Sequence, residues 1–390
     1  MAICSKMLEG VSESKTVAIS DKARQMQQRG IAVVNLGGGD PDFNTPEHIV
    51  KAGIAAIEKG MTHYVDSRGI SDLRKAIAAK FLRENNLVYD PDKEIIATAS
   101  GKLALYIALM GIVNPGDEIL VIEPAWVSYI PLITLLGGKP VSVALDPSDN
   151  FTLTREALDK AITPRTRAVI VNSPNNPSGR VMRAEEFETL RKAVLDNDLW
   201  VISDEIYEHL IYDGNKHISP AGLEGMRERC ITVNGMSKAY AMTGWRLGYL
   251  GAPAPLAAQI LKAQQHVVTC ASGFIQAAGA VALDGPQECV ATMRAEYDRR
   301  RTEVANALNA IPGVRCSMPE GAFYLFPEID FRGYDSWQLA EFLIEEAKVA
   351  VTPGQAFAEK ATCCIRMTYA TSMENLMTAV ERIKAALAKG

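Results

Sequence analysis

The chain has 390 residues, 48% hydrophobic and 22% charged, which is the composition of a folded globular protein with room for two domains. A formal net charge of -5 without any basic run argues against nucleic-acid binding. The first residues contain no secretory signal pattern, and the most apolar stretch, 119–136, carries Glu123 and two prolines, which does not fit a membrane span. Seven scattered cysteines and five histidines form no metal-like spacing, so we expect reduced thiols in a cytoplasmic protein.

From about residue 46 onward, helical patterns alternate with short apolar runs. Leu73, Ile77 and Phe81 recur at helical spacing and mark one helix face. The apolar runs have the length of buried strands and are rich in β-branched residues. Such alternation predicts a mostly parallel sheet covered by helices. The predicted strands are EIIAT (94–98), EILVI (118–122), AVIVN (168–172), LWVIS (199–203) and CITVN (230–234).

After about residue 295 the pattern changes, and we interpret this part as a second, smaller domain. A charged helix is followed by a strand region with Gly and Pro (311–331), by a helix over 336–348 and by a final helix. Thr371 and Glu374 have the spacing of a capping box for that final helix. Its predicted buried face carries Leu376, Val380, Ile383 and Leu387.

Polar residues directly after the predicted strands are candidates for a site, because ligands of parallel sheets bind beyond the carboxyl ends of the strands. Asp204 follows LWVIS, and it is either a site carboxylate or the N-cap of a helix over 205–210. The turn at Ser100, Gly101 and Lys102 follows EIIAT and opens a helical run. Unpaired N–H groups at such a helix start suit a phosphate.

Residues 232–249 contain the most informative pattern in the chain. Lys238 follows a buried strand at the point where the regular pattern breaks, and Arg246 lies between Gly244 and Gly248, where we expect close approach to the backbone. A desolvated lysine can form a Schiff base, and an arginine fork binds phosphate. Together they suggest a phosphorylated aldehyde cofactor. Considered alone, Lys238 would more simply be a solvated loop lysine, and Arg246 would be a member of a structural ion pair.

The segment SKAYAMTGWRLGY (237–249) resembles the cofactor-lysine signature of the class I (fold type I) pyridoxal-phosphate-dependent aminotransferases. Further motifs similar to that family follow in order over nearly the whole chain, and among its members the sequence is similar to the bacterial aspartate/prephenate aminotransferase subgroup. The motifs are LGGGDPDF (36–43), THYVDSRG (62–69), NPGDEILVIEPAWVSY (114–129), NSPNNPSG (172–179), SDEIYE (203–208) and IRMTYA (365–370).

The resemblance implies an α/β fold. Residues 46–295 would form a large domain that binds pyridoxal 5'-phosphate, with a mostly parallel seven-stranded sheet flanked by helices. Residues 296–390 would form a smaller α+β domain, against which the N-terminal segment 1–45 packs. The resemblance also implies a homodimer, with shared active sites in the cleft between the domains.

The resemblance further implies a role for each matching residue. Lys238 would be the catalytic lysine, and Asp204 would pair with the pyridine nitrogen of the cofactor. Tyr207 and Asn176 would reach the ring hydroxyl, and Trp126 would lie on the ring face. The remaining cofactor ligands would surround the phosphate, and they are Ser100, Gly101, Lys102, Ser237, Arg246 and, from the neighbouring subunit, Tyr64.

On the substrate side, the family's match for the α-carboxylate ligand is Arg366, with Gly38 close to the same group and with Trp126 and Asn176 beside it. Lys102 matches the lysine with which the subgroup binds a distal carboxylate, and Thr16 matches a neighbouring pocket residue. A lysine in the first turn of a helix opposes the helix dipole, so its position calls for an anionic partner.

Two residues depart from the family pattern. Asp40 replaces a common glutamate, and Gly235 takes the place of a common phosphate-binding serine. The stretch 267–274 is expected near the substrate side chain, and its composition does not indicate which group it contacts. No arginine lies between residues 263 and 276, where other subgroups supply a distal-carboxylate ligand.

These implications predict an aminotransferase that works by ping-pong transfer from an amino acid to a 2-oxo acid. Aspartate or glutamate is the expected donor, and 2-oxoglutarate or oxaloacetate the expected acceptor. One alternative is another specificity, for aromatic amino acids, alanine or arginine with pyruvate. Another is a pyridoxal-phosphate-dependent lyase on the same fold. A non-catalytic regulatory protein is disfavoured, because the catalytic set has no gap and no helix-turn-helix region is appended.

Overall fold

The computed structural model describes residues 6–11 and 15–389. Helices alternate with strands through the middle of the chain, as the sequence pattern predicts. In this described part the α-helices are α1 (Lys6–Glu9), α2 (Lys15–Gln28), α3 (Glu47–Glu58), α4 (Ser71–Asn85), α5 (Gly101–Met110), α6 (Tyr129–Leu135), α7 (Arg155–Ala161), α8 (Ala184–Asp196), α9 (Ala254–Val267), α10 (Gly273–Asp284), α11 (Glu288–Asn309), α12 (Ser336–Phe342) and α13 (Met373–Leu387).

The strands of the described residues are shorter and form one large sheet and three small ones. They are β1 (Val34–Asn35), β2 (Ile95–Thr98), β3 (Glu118–Glu123), β4 (Lys139–Ala144), β5 (Thr166–Asn172), β6 (Trp200–Asp204), β7 (Cys230–Gly235), β8 (Gly248–Gly251), β9 (Val314–Arg315), β10 (Tyr324–Leu325), β11 (Glu328–Ile329), β12 (Val349–Ala350), β13 (Thr352–Pro353) and β14 (Ile365–Thr368).

The large sheet has seven strands in the order β2-β8-β7-β6-β5-β3-β4. Every pairing between β7 and β4 is parallel, and β8 is antiparallel to both of its neighbours. The predicted α/β fold with a mostly parallel seven-stranded sheet is therefore confirmed. All five strands predicted from apolar runs are present, with ends that differ by one or two residues.

Both faces of the large sheet are buried, which explains why its central strands read as continuous apolar runs. In β5, Val169 and Val171 pack into the hydrophobic cluster on one face, and Ala168 and Ile170 pack into the cluster on the other. Leu73, Ile77 and Phe81 of α4 are fully buried, as their helical spacing predicts.

The C-terminal part has its own hydrophobic cluster around α11, α13 and the small sheets. The N-terminal segment joins this part, because β1 pairs in parallel with β12 and α2 buries Ala23 and Met26 against Ile344. Helix α11 runs across residue 295, so the domain boundaries drawn at 45 and 295 remain a prediction.

The predicted cap of the final helix is wrong by one residue. Ser372 is the N-cap of α13, and its side chain accepts a hydrogen bond from the backbone N–H of Asn375. Thr371 accepts from the side chain of Asn375 instead, so Thr371 and Glu374 form no capping box. The buried face is confirmed, since Leu376, Val380 and Ile383 are buried and Leu387 is partly buried.

No helix in the described part of the chain combines the length and the apolar character that crossing a membrane requires.

Candidate active site

A cavity of about 460 Å³ lies beyond the carboxyl ends of β5, β6 and β7, where a parallel sheet binds its ligands. The cavity brings together most of the predicted site residues, although they come from distant parts of the sequence. Those that line it are Gly38, Gly101, Lys102, Trp126, Asn176, Asp204, Tyr207, Ser237, Lys238, Arg246 and Arg366.

Lys238 lies in the loop between β7 and β8, and its Nζ donates a 2.6 Å hydrogen bond to the carbonyl oxygen of Gly39. Burial lowers the pKa of the Lys238 amine to about 8. The carboxylate of Asp40 opposes this effect, whereas the cationic side chains of Arg366 and Arg246 lower the pKa further. At a pKa of about 8, roughly a tenth of the Lys238 amine is neutral and nucleophilic at pH 7, far more than for an ordinary lysine.

Asp204 is the last residue of β6 and lies at the buried end of the cavity. Its Oδ2 accepts a 2.7 Å hydrogen bond from the hydroxyl of Tyr129. Burial raises the pKa of Asp204 to about 6, and the Tyr129 hydrogen bond counteracts that rise. Residues 205–210 form turns and no helix, so the alternative that Asp204 is a helix N-cap is wrong.

Arg366, on β14, is a buried arginine that forms no ion pair with any described residue. Its Nη1 donates to Oδ1 of Asn176 at 2.9 Å, and its Nη2 donates to the carbonyl of Gly37 at 2.6 Å. Its Nε is buried without any partner. Because a buried charge without a counter-ion is costly, this guanidinium calls for an anionic ligand in the cavity.

Asn176 thus contributes to the site by a contact that differs from the predicted one. Its side-chain oxygen holds Arg366, and its backbone N–H donates to the side chain of Asn172. Tyr207 is buried, and its hydroxyl lies 2.9 Å from the hydroxyl of Tyr324. The predicted contacts of Asn176 and Tyr207 with a ring hydroxyl remain predictions.

Helix α5 begins at Gly101 with its first turn at the cavity, as the sequence predicts. Ser100 is the N-cap, and its hydroxyl accepts a hydrogen bond from the N–H of Leu103 at 3.2 Å. Ser100 itself does not line the cavity. The first N–H groups of an α-helix have no partner within the helix, so those of Gly101 and Lys102 can bind an anion.

The close approach predicted around Arg246 occurs at one of the two glycines. A Cβ at Gly248 would collide with the backbone of Ser100 and Gly101. At Gly244 no described side chain or more distant backbone atom lies within 4 Å of a Cβ, so a close approach there stays a prediction. Arg246 is exposed at the cavity, and its Nη1 donates to the carbonyl of Thr243 at 2.7 Å.

Lys102 and Trp126 contact each other at the wall of the cavity. Nζ of Lys102 lies 5.0 Å from the centroid of the Trp126 ring, a cation–π distance. Partial burial and the nearby Arg246 lower the pKa of Lys102. Lys102 forms no ion pair with any described residue, so it remains available to a ligand anion.

Some predicted features lie outside this cavity. Tyr64 is 87% exposed and does not line the cavity of its own chain. The side chain of Thr16 lies outside the described residues, and none of residues 267–274 lines the cavity. Gly235 pairs with Gly248 between β7 and β8, and a Cβ there would lie 3.0 Å from the carbonyl of Leu247, so this position favours glycine.

Several residues of the site were not predicted from the sequence. Tyr129 lies in the quoted motif 114–129, in which only Trp126 was interpreted. Tyr324 lies three residues after Gly321, in the predicted strand region 311–331, and contacts Tyr207 from 117 residues away. Asp21 and Arg24 of α2 also line the cavity and pair with each other at 3.2 Å, and no motif marks them.

Comparisons with known proteins agree with this geometry. The family model for aminotransferase class I and II matches residues 31–383. Aspartate aminotransferase of Musicola paradisiaca is 45% identical over 96% of this chain and 94% of its own. Aspartate/prephenate aminotransferase of Cereibacter sphaeroides is 42% identical over 99% and 98%. The crystal structure of the Rhizobium meliloti aspartate aminotransferase superposes with a TM-score of 0.95, at 41% identity over 100% and 99% of the two chains.

Proposed function

The chain belongs to the class I and II aminotransferases, and from this premise we propose that it transfers the amino group of aspartate or glutamate to a 2-oxo acid. Oxaloacetate and 2-oxoglutarate are the proposed acceptors, in a ping-pong reaction. Aminotransferases of this family depend on pyridoxal phosphate. The substrate, the role of each residue and the assembly are the parts of the proposal that require testing.

The residues of the cavity fit pyridoxal phosphate. The amine of Lys238, partly neutral because its pKa is about 8, suits an aldehyde. The carboxylate of Asp204 at the buried end suits a cationic pyridine nitrogen. The start of α5 at Gly101, together with Arg246, suits a phosphate. When bound, the cofactor supplies an electron-withdrawing ring that stabilises charge at the substrate Cα.

In this proposal the neutral amine of Lys238 would accept the proton of the substrate Cα. Its amine works as a base near neutral pH because burial and two arginines lower its pKa. The carbonyl of Gly39, 2.6 Å away, orients that amine. The carboxylate of Asp204 would hold a protonated pyridine nitrogen, and Tyr129 supports the ionised form of Asp204 by its hydrogen bond.

Arg366 is the proposed ligand of the α-carboxylate. Its unpartnered Nε and its lack of an ion pair among the described residues leave a buried guanidinium with unused hydrogen-bonding capacity. A carboxylate would meet this requirement with two parallel bonds. Asn176 and Gly37 hold the fork in place by bonds of 2.9 and 2.6 Å.

The observation that carries the substrate proposal is that Lys102 lines the cavity as a cation in addition to Arg366, the catalytic Lys238 and the proposed phosphate ligand Arg246. Neither Lys102 nor Arg366 forms an ion pair with a described residue. A dicarboxylic amino acid has two carboxylates to match them, whereas alanine and phenylalanine have one. The names of the two similar enzymes, from Musicola paradisiaca and Cereibacter sphaeroides, agree with such a substrate.

We also infer a cytoplasmic homodimer with shared sites. Tyr64 is a large aromatic residue that is 87% exposed in the single chain, as expected of a residue that serves the site of a second copy. The six described cysteines are free thiols, which is typical of a reducing compartment.

The test is a panel of amino donors with pyruvate, oxaloacetate or 2-oxoglutarate as the acceptor, followed by product analysis. We expect the highest kcat/KM for aspartate and glutamate, with a 2-oxo acid and a new amino acid as the products. Preference for aromatic amino acids, alanine or arginine would contradict the specificity. An eliminated fragment in place of an amino acid product would indicate a lyase.

A further inference from the structure

We propose that Tyr324 is a positioning residue that holds Arg366 and Tyr207 in a fixed relation across the cavity. This inference rests on the proposed function, since it assigns Tyr324 to the site of that reaction. Tyr324 lies on β10, lines the cavity and is 1% exposed. Its ring and its hydroxyl make separate contacts, so each can be removed separately.

The ring of Tyr324 supports the guanidinium of Arg366. The guanidinium carbon lies 4.5 Å from the ring centroid, within cation–π distance. Tyr324 pairs with Thr368 in the antiparallel ladder of β10 and β14, so Arg366, two residues earlier, is its diagonal neighbour on the same face. This arrangement fixes the plane of the guanidinium, which two-bond recognition of a carboxylate requires.

The hydroxyl of Tyr324 contacts Tyr207, at 2.9 Å between the two oxygens. Burial raises the pKa of both hydroxyls, so both remain protonated and one donates to the other. If Tyr324 donates, the hydrogen of Tyr207 is free to bind a ligand oxygen in the cavity. Tyr324 therefore holds the Tyr207 hydroxyl in position, and as the donor it would leave the hydrogen of Tyr207 free for a ligand.

The same hydroxyl lies close to Gly39, whose carbonyl accepts the hydrogen bond of Lys238. A Cβ at Gly39 would stand 2.6 Å from the Tyr324 oxygen, so the chain can approach this closely only with glycine. The side chain of Tyr324 thus lies against Arg366, Tyr207 and Gly39.

Two variants separate the contacts. Tyr324→Phe keeps the ring on Arg366 and removes the hydroxyl, and Tyr324→Leu removes both. The dissociation constants of pyridoxal phosphate from the apoprotein and of succinate, an unreactive dicarboxylate, from the holoprotein are measured. For Tyr324→Phe we expect pyridoxal phosphate to bind roughly 2- to 10-fold more weakly and succinate to bind within about twofold of wild type. For Tyr324→Leu we expect a further weakening of succinate binding by roughly 2- to 30-fold.

A double-mutant cycle with Tyr207→Phe tests whether Tyr324 acts through Tyr207. We expect Tyr324→Phe to change pyridoxal phosphate binding by less than about twofold when Tyr207 is already phenylalanine. Independent, additive effects would overturn the proposal, because they would assign Tyr324 a merely structural role. So would unchanged succinate binding in Tyr324→Leu.

Tyr89→Phe is the matched control, since Tyr89 is a buried tyrosine whose hydroxyl pairs with another hydroxyl, that of Thr232, at 3.1 Å and outside the cavity. Tyr89→Phe should leave the dissociation constants of pyridoxal phosphate and succinate unchanged. If Tyr324→Phe also left both constants unchanged, the proposal would be overturned. If the wild-type protein took up no pyridoxal phosphate, the proposed function itself would fail, which is a distinct outcome.

Discussion

The hydroxyl of Tyr129 donates a 2.7 Å hydrogen bond to Oδ2 of Asp204 at the buried end of the cavity. The bond matters because burial pushes this carboxyl towards its neutral form and raises its pKa to about 6. The Tyr129 donor limits that rise and keeps Asp204 ionised at neutral pH. The sequence places the two residues 75 positions apart.

The raised pKa of Asp204 predicts that the apoprotein becomes more stable when this charge is removed. An unfolded aspartate titrates near about 3.9, so folding loses stability as the pH rises from about 4 through the folded pKa of about 6. Above a pH of about 6, the ionised Asp204 lowers the free energy of unfolding by on the order of 3 kcal/mol. Asp204→Asn should therefore melt at a higher temperature than wild type at pH 8, with the difference vanishing near pH 4.

The same variant should bind pyridoxal phosphate roughly 10- to 150-fold more weakly, the value of a charged hydrogen bond. Asp213→Asn is the control with the opposite sign, because Arg301 lowers the pKa of Asp213 and stabilises the fold at high pH. That variant should melt below wild type at pH 8. A melting difference for Asp204→Asn that is the same at pH 4 and pH 8 would contradict the buried-carboxylate interpretation.

Lys238 should react as an amine with a pKa of about 8 in the apoprotein. Acetylation by acetic anhydride, followed at Lys238 by mass spectrometry across pH, should show a midpoint near that value, about two units below an ordinary lysine. Asp40→Asn should move the midpoint lower, since the Asp40 carboxylate raises the pKa of Lys238. A midpoint near 10 would show that Lys238 is solvated. Lys238→Ala should abolish turnover and still hold the cofactor.

Arg366→Lys should lower kcat/KM for every substrate, because the α-carboxylate is common to all of them. Lysine keeps the charge and loses the two-bond fork. Loss of one charge-assisted hydrogen bond costs about 1.5–3 kcal/mol, which is roughly 10- to 150-fold in kcat/KM, and the loss should be equal for aspartate and alanine. Arg301→Lys, at a buried arginine outside the cavity, is the control. A loss confined to dicarboxylic substrates would assign Arg366 to the distal carboxylate.

Tyr64 allows a test of the shared site. Mixed dimers of inactive Lys238→Ala and weakened Tyr64→Phe subunits contain one site with both residues intact, so their activity should exceed that of either parent. The recovery is measured after subunit exchange has been demonstrated with differently tagged chains. Exchange without recovery would count against a role for Tyr64 in the partner's site.

The sequence predicted the buried strands well, and it missed β4 and β8 for a physical reason. Strand β4 is an edge strand with exposed positions and Pro140 in its second place, so it has no apolar run. Strand β8 begins and ends with glycine and has only four residues. The final helix was placed correctly, but Thr371 and Ser372 can both cap a helix, and only backbone geometry selects Ser372.

The site was predicted mainly through resemblance, since Lys238 or Arg366 alone could be a structural cation. Contacts between distant segments, such as Tyr324 with Tyr207 or Tyr129 with Asp204, leave no local pattern in the sequence. The role of Ser100 as a helix cap follows from the hydrogen bond that its hydroxyl accepts from the N–H of Leu103, which residue type alone does not reveal.

The most direct test of the substrate proposal is the half-reaction of the holoenzyme with one amino acid and no acceptor, followed by cofactor absorbance. For wild type, the second-order rate constant of the half-reaction should be higher with aspartate and glutamate than with alanine or phenylalanine. Lys102→Ala should lose roughly 10- to 150-fold for the dicarboxylic amino acids, the value of one charge-assisted hydrogen bond, and much less for the others. Equal losses for both classes would make Lys102 a cofactor ligand, and a wild type that prefers alanine or phenylalanine would contradict the proposed specificity.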